Sequence, residues 1–306
     1  MFEGTYTRRA MLRRGLATAG AGALVGAAGC SSIPNLLGGT TPYAKWLPAP
    51  AAVDDSDHYN FTYFNVDDLE AHEGEIDDGD LKPPKSGEFL GPVDIDWQDA
   101  SGVTTLGFGG LFGFGGFVVE ADFDRDDAIS DLEANGFTED SEHEGYALML
   151  GSFEKRVYAV GDGAIVLSVS LGGDTDMAEA IIDAKTGNVD RYGDDSDDMS
   201  ALIGALGGGT YVKGSTTDIP EEADPADGVF DNMVARGEQA KIKGQDTALK
   251  HVVVYESSDD VDTDDLREWV DENNADGERF GNLDDPSYNS NGRKGVITGT
   301  VPTDDS

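Results

Sequence analysis

From Trp46 onward, apolar and polar residues alternate in short blocks punctuated by Gly, Pro and Asp, which is the pattern of short strands joined by turns. Stretches of helical period lie between them. His58–Val66 (HYNFTYFNV) sets Tyr59, Phe61 and Tyr63 at every second position and predicts a half-buried strand; Val66-Asp67-Asp68-Leu69 then starts a turn or short helix. A Gly/Phe run over 106–117 flows into a strand at Phe117–Phe123. Asp124 reads as an N-cap, with Ala128, Ile129 and Leu132 at helical spacing and Gly136 as the stop. Gly145–Leu150 predicts a strand, and Lys155–Val160 with Ala164–Ser170 a hairpin around Gly161-Asp162-Gly163. Asp174 or Asp176 caps a helix that carries Met177, Ala180, Ile181 and Ala184 and ends near Gly187. An acidic loop (190–198), a short helix (Met199–Leu206) and a strand (Thr210–Lys213) follow.

Residues 215–227 hold two Pro and, apart from Ile219, no core residue, so they predict a linker between domains at 46–214 and 228–306. In the second part, Val229–Arg236 fits either helix or strand. Ala240–Ile242, Leu249–Tyr255 and Gly295–Val301 read as strands, with a helix capped by Asp262 or Thr263 and carrying Leu266, Trp269 and Val270. Both parts run apolar strand, acidic turn, amphipathic helix, strands. The expected fold class is therefore α+β: two small domains of antiparallel or mixed sheet with helices on one face, consistent with a duplicated β-α-β-β element.

Charge changes the picture of the solvent. The 306 residues include 61 acidic and 21 basic side chains, a formal net charge of −40. Self-repulsion on that scale strains a compact state in dilute buffer. At molar salt the Debye length falls to about 3 Å and the repulsion is screened. Acidic residues interleaved with apolar ones along the whole chain therefore predict a folded, acidic, halophilic protein. The same balance excludes a nucleic-acid partner, which needs clustered Lys and Arg, and attachment to anionic lipid through basic residues.

The first 45 residues read as an address and an anchor. Thr7-Arg8-Arg9-Ala10-Met11-Leu12-Arg13 is followed by an uncharged Ala/Gly/Leu/Val stretch from Gly15 to Gly29, too short for a membrane span of about 20 residues. Ala27-Ala28-Gly29-Cys30 then sets small residues before the chain's one cysteine. The constellation resembles the twin-arginine-exported lipoproteins of haloarchaea. The resemblance implies a twin-arginine signal peptide (1–29) with Arg8 and Arg9 as the export signal. It also implies passage through the twin-arginine translocase, lipid on Cys30, a tether over 30–45, and a place at the cell surface, on the outer face of the cytoplasmic membrane. Loss of four Arg and one Glu with the signal takes the charge from −40 to −43.

The candidate chemistry is sparse. The Gly cluster 107–116 fits neither a dinucleotide fingerprint nor a P-loop, and no Gly-x-Ser-x-Gly elbow occurs. The Gly/Phe run 106–117 reads as an apolar partner-binding loop or, more economically, as buried strands with Gly at close backbone approaches. None of His58, His72, His143 and His251 lies four residues from another; His143, between Glu142 and Glu144, reads as a solvated surface residue, and His251 as an edge or core histidine. Asp122, Asp124, Asp126 and Glu133 are the weak metal candidates, but position 6 of that loop is Asp127 where a calcium loop needs Gly, and a helix cap explains the same residues. Asp259–Asp265 is similar, and both runs suit loosely bound cations. Asn60-Phe61-Thr62 is an N-glycosylation sequon inside a predicted strand.

These features predict no catalytic residue and no cofactor beyond the covalent lipid. They point to a lipid-anchored, non-enzymatic extracellular protein that binds or scaffolds an envelope protein. The alternatives are a substrate-binding lipoprotein of a transporter and a carboxylate-dependent envelope hydrolase.

Overall fold

The computed structural model describes residues 41–53, 57–76, 90–93, 95, 99–107, 115–151, 156–169, 174–275 and 279–303. Among the described residues, twelve antiparallel strands form one sheet: β1 (Asn60–Asn65), β2 (Ala100–Gly107), β3 (Gly116–Ala121), β4 (Phe137–His143), β5 (Tyr146–Gly151), β6 (Arg156–Gly161), β7 (Ala164–Val169), β8 (Tyr211–Thr216), β9 (Met233–Lys243), β10 (Asp246–Tyr255), β11 (Asp284–Asn291) and β12 (Lys294–Pro302). The order is β11-β12-β10-β9-β8-β1-β2-β3-β7-β6-β5-β4. The α+β class holds, but the expected pair of small domains does not. β8 pairs with β1 on one side and β9 on the other, so backbone hydrogen bonds carry the sheet straight through the start of the segment expected to be a linker.

The order is mirrored about the β1–β8 pair. In one half β2 and β3 form a hairpin, a helix follows, and the chain returns from the sheet edge until β7 pairs with β3. In the other half β9 and β10 form a hairpin, a helix follows, and β12 returns to pair with β10.

Helices cover both faces, in place of the one expected. α1 (Val66–Ala71), α2 (Arg125–Ala134) and α6 (Thr263–Glu272) lie on one face; α3 (Asp176–Thr186) and α5 (Asp197–Leu206) lie on the other, with the single turn α4 (Tyr192–Asp195) before α5. The caps follow the local chemistry. Asp124 accepts hydrogen bonds from the Asp126 and Asp127 amides at the start of α2, and Asp262 caps α6 through Asp264 N–H. Thr175, between the two expected candidates, holds the N-cap position of α3, and Gly187 ends that helix at φ 84°. The expected acidic loop at 190–198 is instead mostly helical: α4 occupies Tyr192–Asp195, and Ser196 accepts from the Met199 amide and starts α5 two residues early.

On the α3/α5 face, Phe61, Val212, Ala235, Val252 and Val254 of the central strands are buried under Leu202 and Leu206 of α5. Each such large side chain contributes about 1.5–3 kcal/mol by burial. The close fit of α5 depends on two glycines. A Cβ at Gly214 would stand 3.0 Å from Leu202 Cδ2, and one at Gly237 would stand 2.8 Å from Leu206 Cδ1. Both glycines therefore sit on the covered face, and their strand neighbours project from the other.

Candidate functional site

Those neighbours build the site. The strand register aligns Gly107, Asn60, Ser215, Arg236 and Val253 in one row across β2, β1, β8, β9 and β10. Thr105, Thr62, Lys213, Glu238 and His251 form the next row on the same face. A further row, Phe64, Tyr211, Ala240 and Leu249, is apolar or aromatic and belongs to a small separate core with Leu69 of α1. α2 packs over the β3–β7 end of this face and α6 over the β10–β12 end. Between them lies a saddle with a cavity of about 350 Å³, lined by Asn60, Lys213, Ser215, Arg236, Glu238, His251, Trp269 and Arg279. A second hollow of about 570 Å³ adjoins it, shares Asn60, Ser215 and Arg236, and extends to Asp218, Pro220 and Met233.

Three cations and one carboxylate line the saddle. Glu238 is held on several sides: Tyr211 Oη donates to its Oε1 at 3.2 Å, Arg279 Nη2 lies 3.4 Å from its Oε2, and His251 Nδ1 lies 3.8 Å from the same oxygen. The Arg279 guanidinium also stands 5.4 Å from the Trp269 ring centroid. The carboxylate is thus already matched by Arg279. Lys213 is exposed and Arg236 half-buried, and neither joins an ion pair among the described residues. Arg236 Nη1 donates to the Gly228 carbonyl at 3.3 Å. Burial, then the positive charge of Arg279, pull Arg236 below its usual range, and Glu238 opposes them. Arginine nevertheless stays charged at any ordinary pH.

His251 forms the floor of the site. Its ring meets Phe280 edge-on at 4.7 Å and Trp269 at 5.7 Å. Burial lowers its pKa to about 4, with Glu238 raising and Arg279 lowering it, so it is neutral at pH 7.

Among the residues expected from sequence, Arg8, Arg9 and Cys30 lie outside the described residues, as do residues 108–114 of the Gly/Phe run. The flanks of that run are buried or half-buried: Leu106 and Gly107 end β2, and Gly116 and Phe117 begin β3. Asn60 opens β1, is exposed, and lines both hollows; a Cβ on Gly107 would lie 2.7 Å from its Oδ1. Asp122, Asp124, Asp126 and Glu133 do not converge: Asp124 is the α2 cap, and no group of three His, Cys, Asp or Glu able to hold a metal occurs among the described residues. Ser257 and Asp260 form a capping box, which accounts for part of the other acidic run. His143 is not simply solvated: its Nε2 lies 2.7 Å from Asp183 Oδ1 and ties β4 to α3. Lys213, Arg236, Glu238 and Arg279 were not foreseen. The signal for the first three was the pair Val-Lys-Gly-Ser and Ala-Arg-Gly-Glu, in which rare cations alternate with core-facing glycines.

No protein-family model matches the chain, and no curated protein matches it. Among solved structures, crystal forms I and III of TP0453 align with a TM-score of 0.46 at 10% and 9% identity, covering 84% of this chain and 94% of that one. Crystal form IV aligns with a TM-score of 0.44 at 10% identity, covering 84% and 93%.

Proposed function

We propose that this protein is a lipid-anchored, non-enzymatic binding protein on the outer face of a halophile's cytoplasmic membrane, and that the saddle is its binding surface. One observation carries the reading. In a chain of net charge −40, the open middle of the sheet gathers Lys213, Arg236 and Arg279 around a single carboxylate. The ring-packed His251, made a weak base by burial, and the already matched Glu238 favour holding a ligand over hydrolysing one. A cavity of small-molecule size favours, as a second reading, a solute-binding lipoprotein that passes its cargo to a permease. The mirrored strand order supports descent of the two halves from one duplicated element.

Replacing Cys30 with Ser tests the anchored part. The expected outcome is release of the protein from sedimented membranes into the medium or wash, since the lipid is the one anchoring group. A Cys30→Ser protein that still sediments with membranes in molar salt contradicts it. Affinity capture of the tagged protein from envelopes in molar salt separates the two readings: a permease among specific partners selects solute delivery, and another envelope protein selects scaffolding.

A further inference from the structure

We infer that the saddle takes a small organic or inorganic dianion, a phosphate-type or dicarboxylate group, held between Arg236 and Lys213. This rests on the reading of the saddle as a binding surface and names its ligand class.

The charge balance sets the class. Three cations and one carboxylate line the cavity, and His251 is uncharged, which leaves a net charge of two positive units. Glu238 forms its ion pair with Arg279, so Lys213 and Arg236 are the lining cations without an ion pair among the described residues. Lys213 pairs across the strands with Glu238, and Arg236 with Ser215. The two cations are thus diagonal neighbours on one face, a placement that typically separates Cβ atoms by about 7–8 Å or somewhat less. Two long cationic side chains at that spacing can close on one small group. Arg236 offers a planar fork suited to two oxygens of a carboxylate or phosphate, and Lys213 a rotatable point charge. Asn60 and Ser215 add neutral hydrogen-bonding groups in the same row as Arg236.

Brine sharpens the selection. At molar salt, charges beyond about 3 Å are screened, so long-range steering contributes little and contact contributes most. Chloride is abundant there and can meet one cation at a time. A dianion engages two fixed cations together, and half-buried Arg236 is screened less than the exposed carboxylates around it.

Isothermal titration of the whole protein in molar potassium chloride tests the inference with inorganic phosphate, succinate, acetate and glucose as probes. Saturable binding of phosphate or succinate, with acetate and glucose at least about tenfold weaker, is the expected result; the tighter of the two dianions assigns the headgroup. Arg236→Gln and Lys213→Gln should each weaken that dianion at least about tenfold, whereas Lys243→Gln, at the far hairpin, should leave it unchanged. Lys213 is exposed, so its variant keeps the test valid if the Arg236 variant misfolds. Absence of binding by both dianions overturns the inference, as does acetate binding as tightly as succinate or wild-type affinity in both variants. Glucose binding that Arg236→Gln abolishes would overturn the dianion yet keep the saddle as a binding surface. The Cys30 fractionation decides the anchored reading separately.

Discussion

Val212 and Lys213 are consecutive residues of β8, and they face two different environments. Val212 points into the core beneath α5, with Phe61, Ala235 and Val252 around it. Lys213 points into the open saddle beside Asn60, Arg236 and Glu238. The same four strands therefore present an apolar, glycine-relieved face and, on the other side, a charged patch beside an apolar row. On the first, burial supplies the stability, and helix α5 approaches closely because Gly214 and Gly237 remove the side chains in its way. On the second, Trp269 of α6 is the one residue of a described helix that lines the saddle, and the scarce cations gather there. A residue's burial on one face and exposure on the other separates what holds the sheet from what the sheet holds.

The contrast breaks most visibly with Phe61→Ala. Phe61 is fully buried and stacks on Tyr43 at 5.1 Å between ring centroids. Its truncation should cost about 3–5 kcal/mol through lost burial and a residual cavity, measured by denaturant unfolding in molar salt. Lys213→Gln, on the opposite face, should stay within about 0.5 kcal/mol of wild type in the same assay. Equal effects from the two substitutions would erase the division of labour between the faces.

Acidification gives the next largest effect, and it reads the floor of the saddle. The folded protein holds His251 near pKa 4, through burial among Trp269 and Phe280 and with Arg279 nearby, while the unfolded chain restores about 6.5. Between pH 6.5 and 4 the unfolded state binds the proton that the folded state refuses. Stability therefore falls as pH drops through that window and is insensitive to His251 above it. The loss amounts to about 3 kcal/mol. Wild type and His251→Gln should differ in the slope of stability against pH between 6.5 and 4, with the variant flatter. Parallel slopes would show that His251 titrates as an ordinary exposed histidine.

How much of this was legible in the sequence follows physical lines. Signals carried by neighbouring residues were readable: the Asp124 and Asp262 caps, the Gly161-Asp162-Gly163 hairpin, and the apolar strands within β5, β6, β7, β10 and β12. Strands β4 (FTEDSEH) and β11 (DDPSYNSN) were not, because they are the two outer strands of the sheet. An edge strand needs little apolar surface, and charged or Pro-bearing edges discourage pairing with other chains. β9 was seen in fragments, since Arg236, Glu238 and Gln239 interrupt its apolar pattern. The single sheet was missed for a related reason: the join between halves is the β1–β8 ladder, made by backbone groups between residues about 150 apart, which composition does not record. The saddle needed the same long-range register. Lys213, Arg236 and Arg279 come from two strands and the segment after α6, and only the register of β8 on β9 with the packing of Trp269 brings them to one cavity.

Lysine footprinting tests the saddle most directly. The folded protein in molar potassium chloride is acetylated briefly, with and without millimolar succinate or phosphate, and each lysine is read by mass spectrometry. The dianion should slow acetylation of Lys213 severalfold and leave exposed Lys243 unchanged. Equal rates at Lys213 with and without either dianion, or equal slowing at Lys243, would contradict this.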